Sequence, residues 1–219
     1  MFVAKYNTTG IIQWVKQISG TESQSCYGMG IDAIGNVYVF GRFNDFTTFN
    51  PTTSINSTSN DLFIAKYTTA GIFSWANPIG GASEDEPKSS TVDANGNVYI
   101  TGLFFGTVDF DPGNTPHELS GTFVNTPFPV LAKYNNQGEY QWAKKFEATN
   151  ISSNLDHISV ATNGGSVYLT GNFEGVVDFN LDADINKLLI SLVLVLMDFI
   201  KKFILQNMMH QEITNGQKI

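Results

Sequence analysis

A chain of 219 residues is long enough to bury one large all-β core or two ordinary ones. With 42% hydrophobic and 15% charged residues, its composition is globular and excludes a disordered chain. A net charge of −8 and a single arginine, Arg42, speak against a nucleic-acid partner, because phosphate contacts need clustered Lys and Arg. The lone Cys26 excludes an intrachain disulfide and any thiolate metal cluster.

In chain order, the sequence opens on Phe2-Val-Ala-Lys-Tyr6 without a signal peptide. Because this motif recurs internally, the start reads as a cut within a longer repeat array. Ala4-Lys-Tyr6, Ala65-Lys-Tyr67 and Ala132-Lys-Tyr134 are each followed four residues later by Gly (Gly10, Gly71, Gly138). Trp14, Trp75 and Trp142 stand four residues further on, and a near-constant period of this kind signals a repeat architecture. A second motif keeps the same period: Asp32-Ala-Ile-Gly-Asn-Val-Tyr-Val-Phe-Gly41, Asp93-Ala-Asn-Gly-Asn-Val-Tyr-Ile-Thr-Gly102 and Ala161-Thr-Asn-Gly-Gly-Ser-Val-Tyr-Leu-Thr-Gly171. Each copy is a tight-turn signal feeding an alternating segment that ends in Gly.

One period holds four strand candidates, named a to d, at residues 89–93, 97–104, 129–134 and 139–146. In b, Val98 and Ile100 fall on one face, Tyr99 and Thr101 on the other. No stretch before residue 185 sustains a 3.6-residue apolar period, so helical repeats are set aside. The expected fold is all-β: a partial β-propeller, an open arc of about three four-stranded antiparallel blades with an irregular or helical C-terminal tail. Its parts are a half blade at 1–18, blades at 27–80 and 88–147, a half blade at 156–173, and an atypical apolar tail at 187–219.

Phe63-Ile-Ala-Lys-Tyr, Gly71-Ile-Phe-Ser-Trp-Ala, Val92-Asp-Ala-Asn-Gly-Asn-Val-Tyr-Ile-Thr-Gly and Gly106-Thr-Val-Asp-Phe-Asp-Pro-Gly together resemble the SBBP (seven-bladed β-propeller) repeats of bacterial proteins. The resemblance covers residues 1 to about 186. It implies a propeller exported to the cell exterior or surface, without catalytic residues and with flanking blades in a longer parent chain. The third copy departs from the pattern, with Ala161 in place of Asp.

From Leu188 the pattern is lost. The run Leu-Leu-Ile-Ser-Leu-Val-Leu-Val-Leu-Met197 is too short to span a membrane, and Asp198, Lys201 and Lys202 block its extension. Back-translated from Leu192 and read one frame over, with a permissible choice of codons, residues 205–218 become Thr-Lys-Tyr-Asp-Ala-Ser-Gly-Asn-Tyr-Lys-Trp-Ala-Lys. This restores the Lys-Tyr, Gly, Trp spacing, so residues from about Ser191 read as out of frame with the ancestral repeat. The coding DNA tests this: it must carry a shifted frame that encodes the spacing.

Tight a–b and c–d turns at one end of each sheet leave the long b–c and d–a links at the other, and these form an acidic face where a protein or glycan ligand is expected. Asp109 and Asp111, with Asn180, Asp182 and Asp184, alternate oxygen ligands of the kind Ca²⁺ accepts. The turn-forming reading of Asp-Phe-Asp-Pro is preferred, because no copy shows a calcium loop with its distal bidentate Glu. Glu84-Asp-Glu86 reads as a solvated loop, and the isolated His117 and His157 do not build a zinc site. Trp14, Trp75, Trp142, Tyr38, Tyr99 and Tyr168 recur once per blade and are assigned to packing between blades. The expected function is a non-catalytic scaffold or interaction module, with no cofactor apart from a possible structural Ca²⁺. The competing reading, a carbohydrate-active enzyme, requires two carboxylates about 5 to 9.5 Å apart in a cleft.

Overall fold

Every hairpin in the chain starts from the same local device. Asp32 Oδ1 accepts the amides of Ile34 and Asn36, and Asp93 Oδ1 those of Asn95 and Asn97. Asn7 and Asn135 do the same at the other turn type, so a short side chain closes each reversal before any sheet forms. The turn then needs a left-handed residue, supplied by Gly35 (φ 86°) and Gly96 (φ 82°) in the a–b turns and by Gly71 (φ 75°) and Gly138 (φ 83°) in the c–d turns.

The computed structural model describes residues 1–111, 115–121, 126–148, 159–163, 165–171 and 177–178, and every regular element among them is a strand. A first hairpin joins β1 (Phe2–Tyr6) and β2 (Ile12–Gln17), with β3 (Ser19–Gly20) continuing the second strand. The next blade is the antiparallel meander of β4 (Gln24–Ile31) and β5 (Val37–Phe43), then, beyond β6 (Thr47–Asn50) and β7 (Thr53–Ile55), β8 (Asp61–Tyr67) and β9 (Phe73–Gly81). The same order recurs in β10 (Glu86–Val92) and β11 (Val98–Phe104), then, beyond β12 (Thr107–Asp109) and β13 (Glu118–Ser120), β14 (Phe128–Tyr134) and β15 (Tyr140–Lys145). There follow β16 (Glu147–Ala148), the hairpin β17 (Ser159–Asn163) and β18 (Ser166–Thr170), and β19 (Val177–Asp178). Register is identical between blades: Val37 pairs with Tyr67 as Val98 pairs with Tyr134.

The b–c links are not the open loops the sequence suggests. Two of them fold into small hairpins, β6–β7 and β12–β13. Each docks on the extended end of the preceding blade's last strand, β6 on β3 and β12 on β9, and β19 meets β16 in the same way. The reason lies in the central Phe of Thr48-Phe-Asn and Asp109-Phe-Asp. Phe49 and Phe110 are buried, and each lends its carbonyl to a tyrosine hydroxyl of its own blade, Tyr67 at 3.5 Å and Tyr134 at 2.9 Å.

Hydrophobic cores lie between blades rather than within them. Tyr38, Phe40, Leu62 and Ile64 on one face of the first full blade meet Val98, Ile100, Val130 and Tyr134 of the next. The opposite face, through Val37, Val39, Phe63 and Tyr67, packs on Val3 and Ile18. A third cluster joins Tyr99, Leu131 and Phe146 to Val160. Because middle strands are covered on both sides, they read as continuous apolar runs. First strands of successive blades also abut, β10 lying against both β4 and β17. This approach is close enough that a Cβ on Gly30 would sit 2.3 Å from Val92 Cγ2. The architecture is an all-β arc of propeller-like blades, with no barrel closure among the described residues. The C-terminal tail at 187–219, expected as irregular or helical, lies outside the described residues, as do Asp182 and Asp184.

Candidate functional site

The recurring Lys, Trp and Gly build a joint. Lys5 and Trp14 are cross-strand partners, as are Lys66 and Trp75, and Lys133 and Trp142. Spacing along the chain thus puts an ammonium and an indole N–H side by side on one face of each c–d hairpin. Both donors of the first pair reach the Thr69 carbonyl in the next blade's c–d turn, Lys5 Nζ at 3.0 Å and Trp14 Nε1 at 3.1 Å. One blade on, Lys66 Nζ at 2.8 Å and Trp75 Nε1 at 3.2 Å reach the Asn136 carbonyl. The turn glycine seats on the indole: a Cβ at Gly71 would lie 2.7 Å from the Trp14 ring, and one at Gly138 2.9 Å from Trp75.

Tyrosine from strand b completes the joint. Tyr38 packs edge-on to Trp75 at 6.2 Å, with Lys66 Nζ 5.1 Å above its ring. Tyr99 repeats this with Trp142 at 6.3 Å and Lys133 at 5.4 Å. Tyr168, the third tyrosine of the column, is 57% exposed and stands apart from any tryptophan among the described residues. Burial lowers the pKa of Lys66 and raises that of Tyr38, the latter with help from the neighbouring Asp32. Burial also opposes ionisation of Asp32, but hydrogen bonds from Asn36, Tyr38 and Ile34 hold its carboxyl below the usual range.

Of the calcium candidates, Asp109 and Asp111 are described. Asp109 Oδ1 accepts the amides of Asp111 at 2.9 Å and His117 at 3.0 Å, so it caps the turn between β12 and β13. Asp111 Oδ2 lies 3.3 Å from His117 Nδ1, and the imidazole stacks on Tyr140. Among the described residues no three carboxylate, His or Cys side chains converge on a metal-sized site.

Two carboxylates not singled out by the sequence are buried at the far end of the blades. Asp61 accepts the hydroxyls of Ser57 at 2.6 Å and Ser59 at 2.7 Å. Asp85 accepts the Phe105 amide at 3.0 Å, and its second oxygen has no partner. Burial pushes the Asp85 pKa up to about 8, with the Phe105 amide opposing and the charge of Asp61 adding to it. Asp61 is raised too, again by burial. The solvated-loop reading of Glu84-Asp-Glu86 therefore needs correcting: Glu84 and Glu86 are exposed, but Asp85 turns inward to tie β10 to the end of β11. Its apolar surroundings come from tertiary packing, and no local sequence signal marks them. Both acids are enclosed and held by structural hydrogen bonds, not set across an open cleft.

No known protein-family profile matches the chain. The chain is similar to an uncharacterized WD repeat-containing protein of Acanthamoeba polyphaga mimivirus, 27% identical over 158 residues, which are 65% of this chain and 11% of that protein. It is also similar to a regulatory protein, FlaEY, of Caulobacter vibrioides, 23% identical over 175 residues, 78% of this chain and 18% of that protein. The chain thus spans between a tenth and a fifth of the length of these curated relatives. The blade architecture and the likeness to a WD repeat-containing protein agree on repeats of the β-propeller type. Among the described residues no helix is long and apolar enough to cross a membrane.

Proposed function

We propose that the chain is a non-catalytic β-propeller repeat module of the SBBP kind, part of a secreted or surface protein, and that it presents a ligand-binding face at the b–c and d–a ends of its blades. One observation carries this reading. The recurring polar residues that could pass for chemistry (Lys5 and Lys66, Trp14 and Trp75, Asp32 and Asp93) are spent on closing turns and joining blades. What remains free is the opposite end. Glu22, Asp45 and Glu84 are exposed there, and Asp45 holds a left-handed backbone (φ 56°) while its carboxylate takes the Thr21 hydroxyl. Exposed polar groups on short links between rigid strands suit recognition of a protein or glycan. A structural calcium at Asp109 and Asp111 is the subordinate reading, tested by whether calcium raises the melting temperature over chelator.

The test pairs a glycan array and a panel of surface-protein ectodomains with two sets of charge reversals. Binding lost in Glu22→Lys, Asp45→Lys and Glu84→Lys but kept in Thr9→Lys and Gln137→Lys, on the turn face, supports the proposal. Turnover of any arrayed glycan that survives the loop-face reversals but is lost in Asp61→Asn or Asp85→Asn would replace it with the hydrolase reading.

A further inference from the structure

The blade joint exists twice as a filled socket and once as an open one. At Thr69 and Asn136 a c–d turn sits between the Lys and Trp of the preceding blade. The third socket, Tyr99, Lys133 and Trp142, has the same internal geometry, yet no carbonyl meets its two donors among the described residues. Conversely, the turn of the first hairpin has no socket. Gly71 and Gly138 are buried on an indole, whereas Gly10 has nothing within 4 Å of its Cβ position. The sheet edges show the same complementarity. β18 pairs only with β17, and β1 only with β2, among the described residues, so one end offers strands a and b and the other offers c and d. Side-chain exposure follows. Phe2 and Tyr6 are 72% and 58% exposed, while their counterparts Phe63 and Tyr67 are fully buried against the preceding blade.

We propose that a second copy of this chain fills these vacancies, the hairpin β1–β2 of one copy adding to β17–β18 of the other. The register is set by the two complete blades: Tyr6 opposite Val167 and Lys5 opposite Tyr168, as Tyr67 stands opposite Val37 and Lys66 opposite Tyr38. The Thr8 carbonyl then enters the Lys133–Trp142 socket, Gly10 seats on Trp142, and Phe2 and Tyr6 cover Leu131 and Phe146. Tyr168 joins Lys5 and Trp14 to complete the cluster that already holds Thr69. This interface is the established blade-to-blade contact continued across chains. It is heterologous, so it must close or polymerise. Each copy brings two full blades and two halves, so two copies close a ring of six, within the four to eight blades of known propellers.

Sedimentation of the 219-residue chain reads the assembly directly: a discrete dimer is expected, dissociating at least tenfold more readily in Trp142→Ala. A disulfide test stands apart from that variant's folding. In a Cys26→Ser background, Tyr6→Cys with Val167→Cys should give a reducible dimer on oxidation. The off-register pair Tyr6→Cys with Leu169→Cys should not, because residues two positions apart are too distant for the bond. A chain that stays monomeric at every concentration overturns the proposal. So does an open-ended polymer, or a dimer that ignores Trp142→Ala and fails to crosslink in register.

Discussion

At the scale of single residues, the joint explains why Lys, Gly and Trp recur at fixed intervals. Lys66 and Trp75 share one acceptor, and Gly138 is the only residue type that can bring that acceptor against the indole. Trp75→Ala removes a half-buried ring and one donor, for an expected loss of about 3 kcal/mol in chemical denaturation. Gly138→Ala adds left-handed backbone strain of about 1–2 kcal/mol to a clash with the Trp75 ring, and a loss below that range would mean the turn can lift off the indole. Asp85 makes a pH-dependent prediction. Its folded pKa of about 8 lies above the ordinary value near 3.8, so between those limits the folded state binds more protons than the unfolded chain. Its contribution to stability is therefore present below pH 4 and is lost as pH rises toward 8. Asp85→Asn keeps an acceptor for the Phe105 amide and cannot ionise. Its stability relative to the parent should be near zero at pH 4 and favourable by on the order of a few kcal/mol at pH 8. A pH-independent difference in urea midpoints would show that the acid is hydrated in the folded state.

At the scale of elements, sequence and structure agree where a pattern is local and part where it depends on a partner. Strands b and c were legible because Val98-Tyr-Ile-Thr and its copies alternate between two apolar faces, and the turns because Asx-Gly chemistry closes them without tertiary help. The pairing of Lys with Trp could be inferred from spacing, but not that both point forward to the next blade's turn. The b–c hairpins escaped notice because strands as short as β12 and β13, flanked by Asp, Pro and Gly, carry the composition of a loop. They become strands only when β9 offers an edge, with Val108 opposite Gly81. Phe110 anchors that hairpin, so Phe110→Ala should cost about 3 kcal/mol and should speed amide exchange at Gly80 and Gly81 before it affects β11. A cost under about 1 kcal/mol would mean that backbone pairing alone holds the hairpin.

At the scale of the whole molecule, cores placed between blades make stability a sum over joints rather than the property of a single centre. The joint between the two full blades is the largest among the described residues, running from Tyr38 and Phe40 through Ile100 and Phe110 to Tyr134. The joint that holds β17–β18 rests on Tyr99, Leu131, Phe146 and Val160. Since buried apolar area sets the free energy of opening, amide exchange should be slowest in β8 and β11 and fastest, among the paired strands, in β17 and β18. β18 has one bonded neighbour and an exposed Tyr168, so its protection is also the quantity most sensitive to anything that adds a third strand. Exchange measured across a dilution series separates two origins of that protection. If β18 is held by β17 and the third core alone, its exchange rate does not depend on protein concentration. If β1 of another copy pairs with it, Val167 and Leu169 exchange more slowly as concentration rises, and β1 gains protection over the same range. β8 and β11, already paired on both sides within one chain, should not respond, which makes them the internal reference for the measurement.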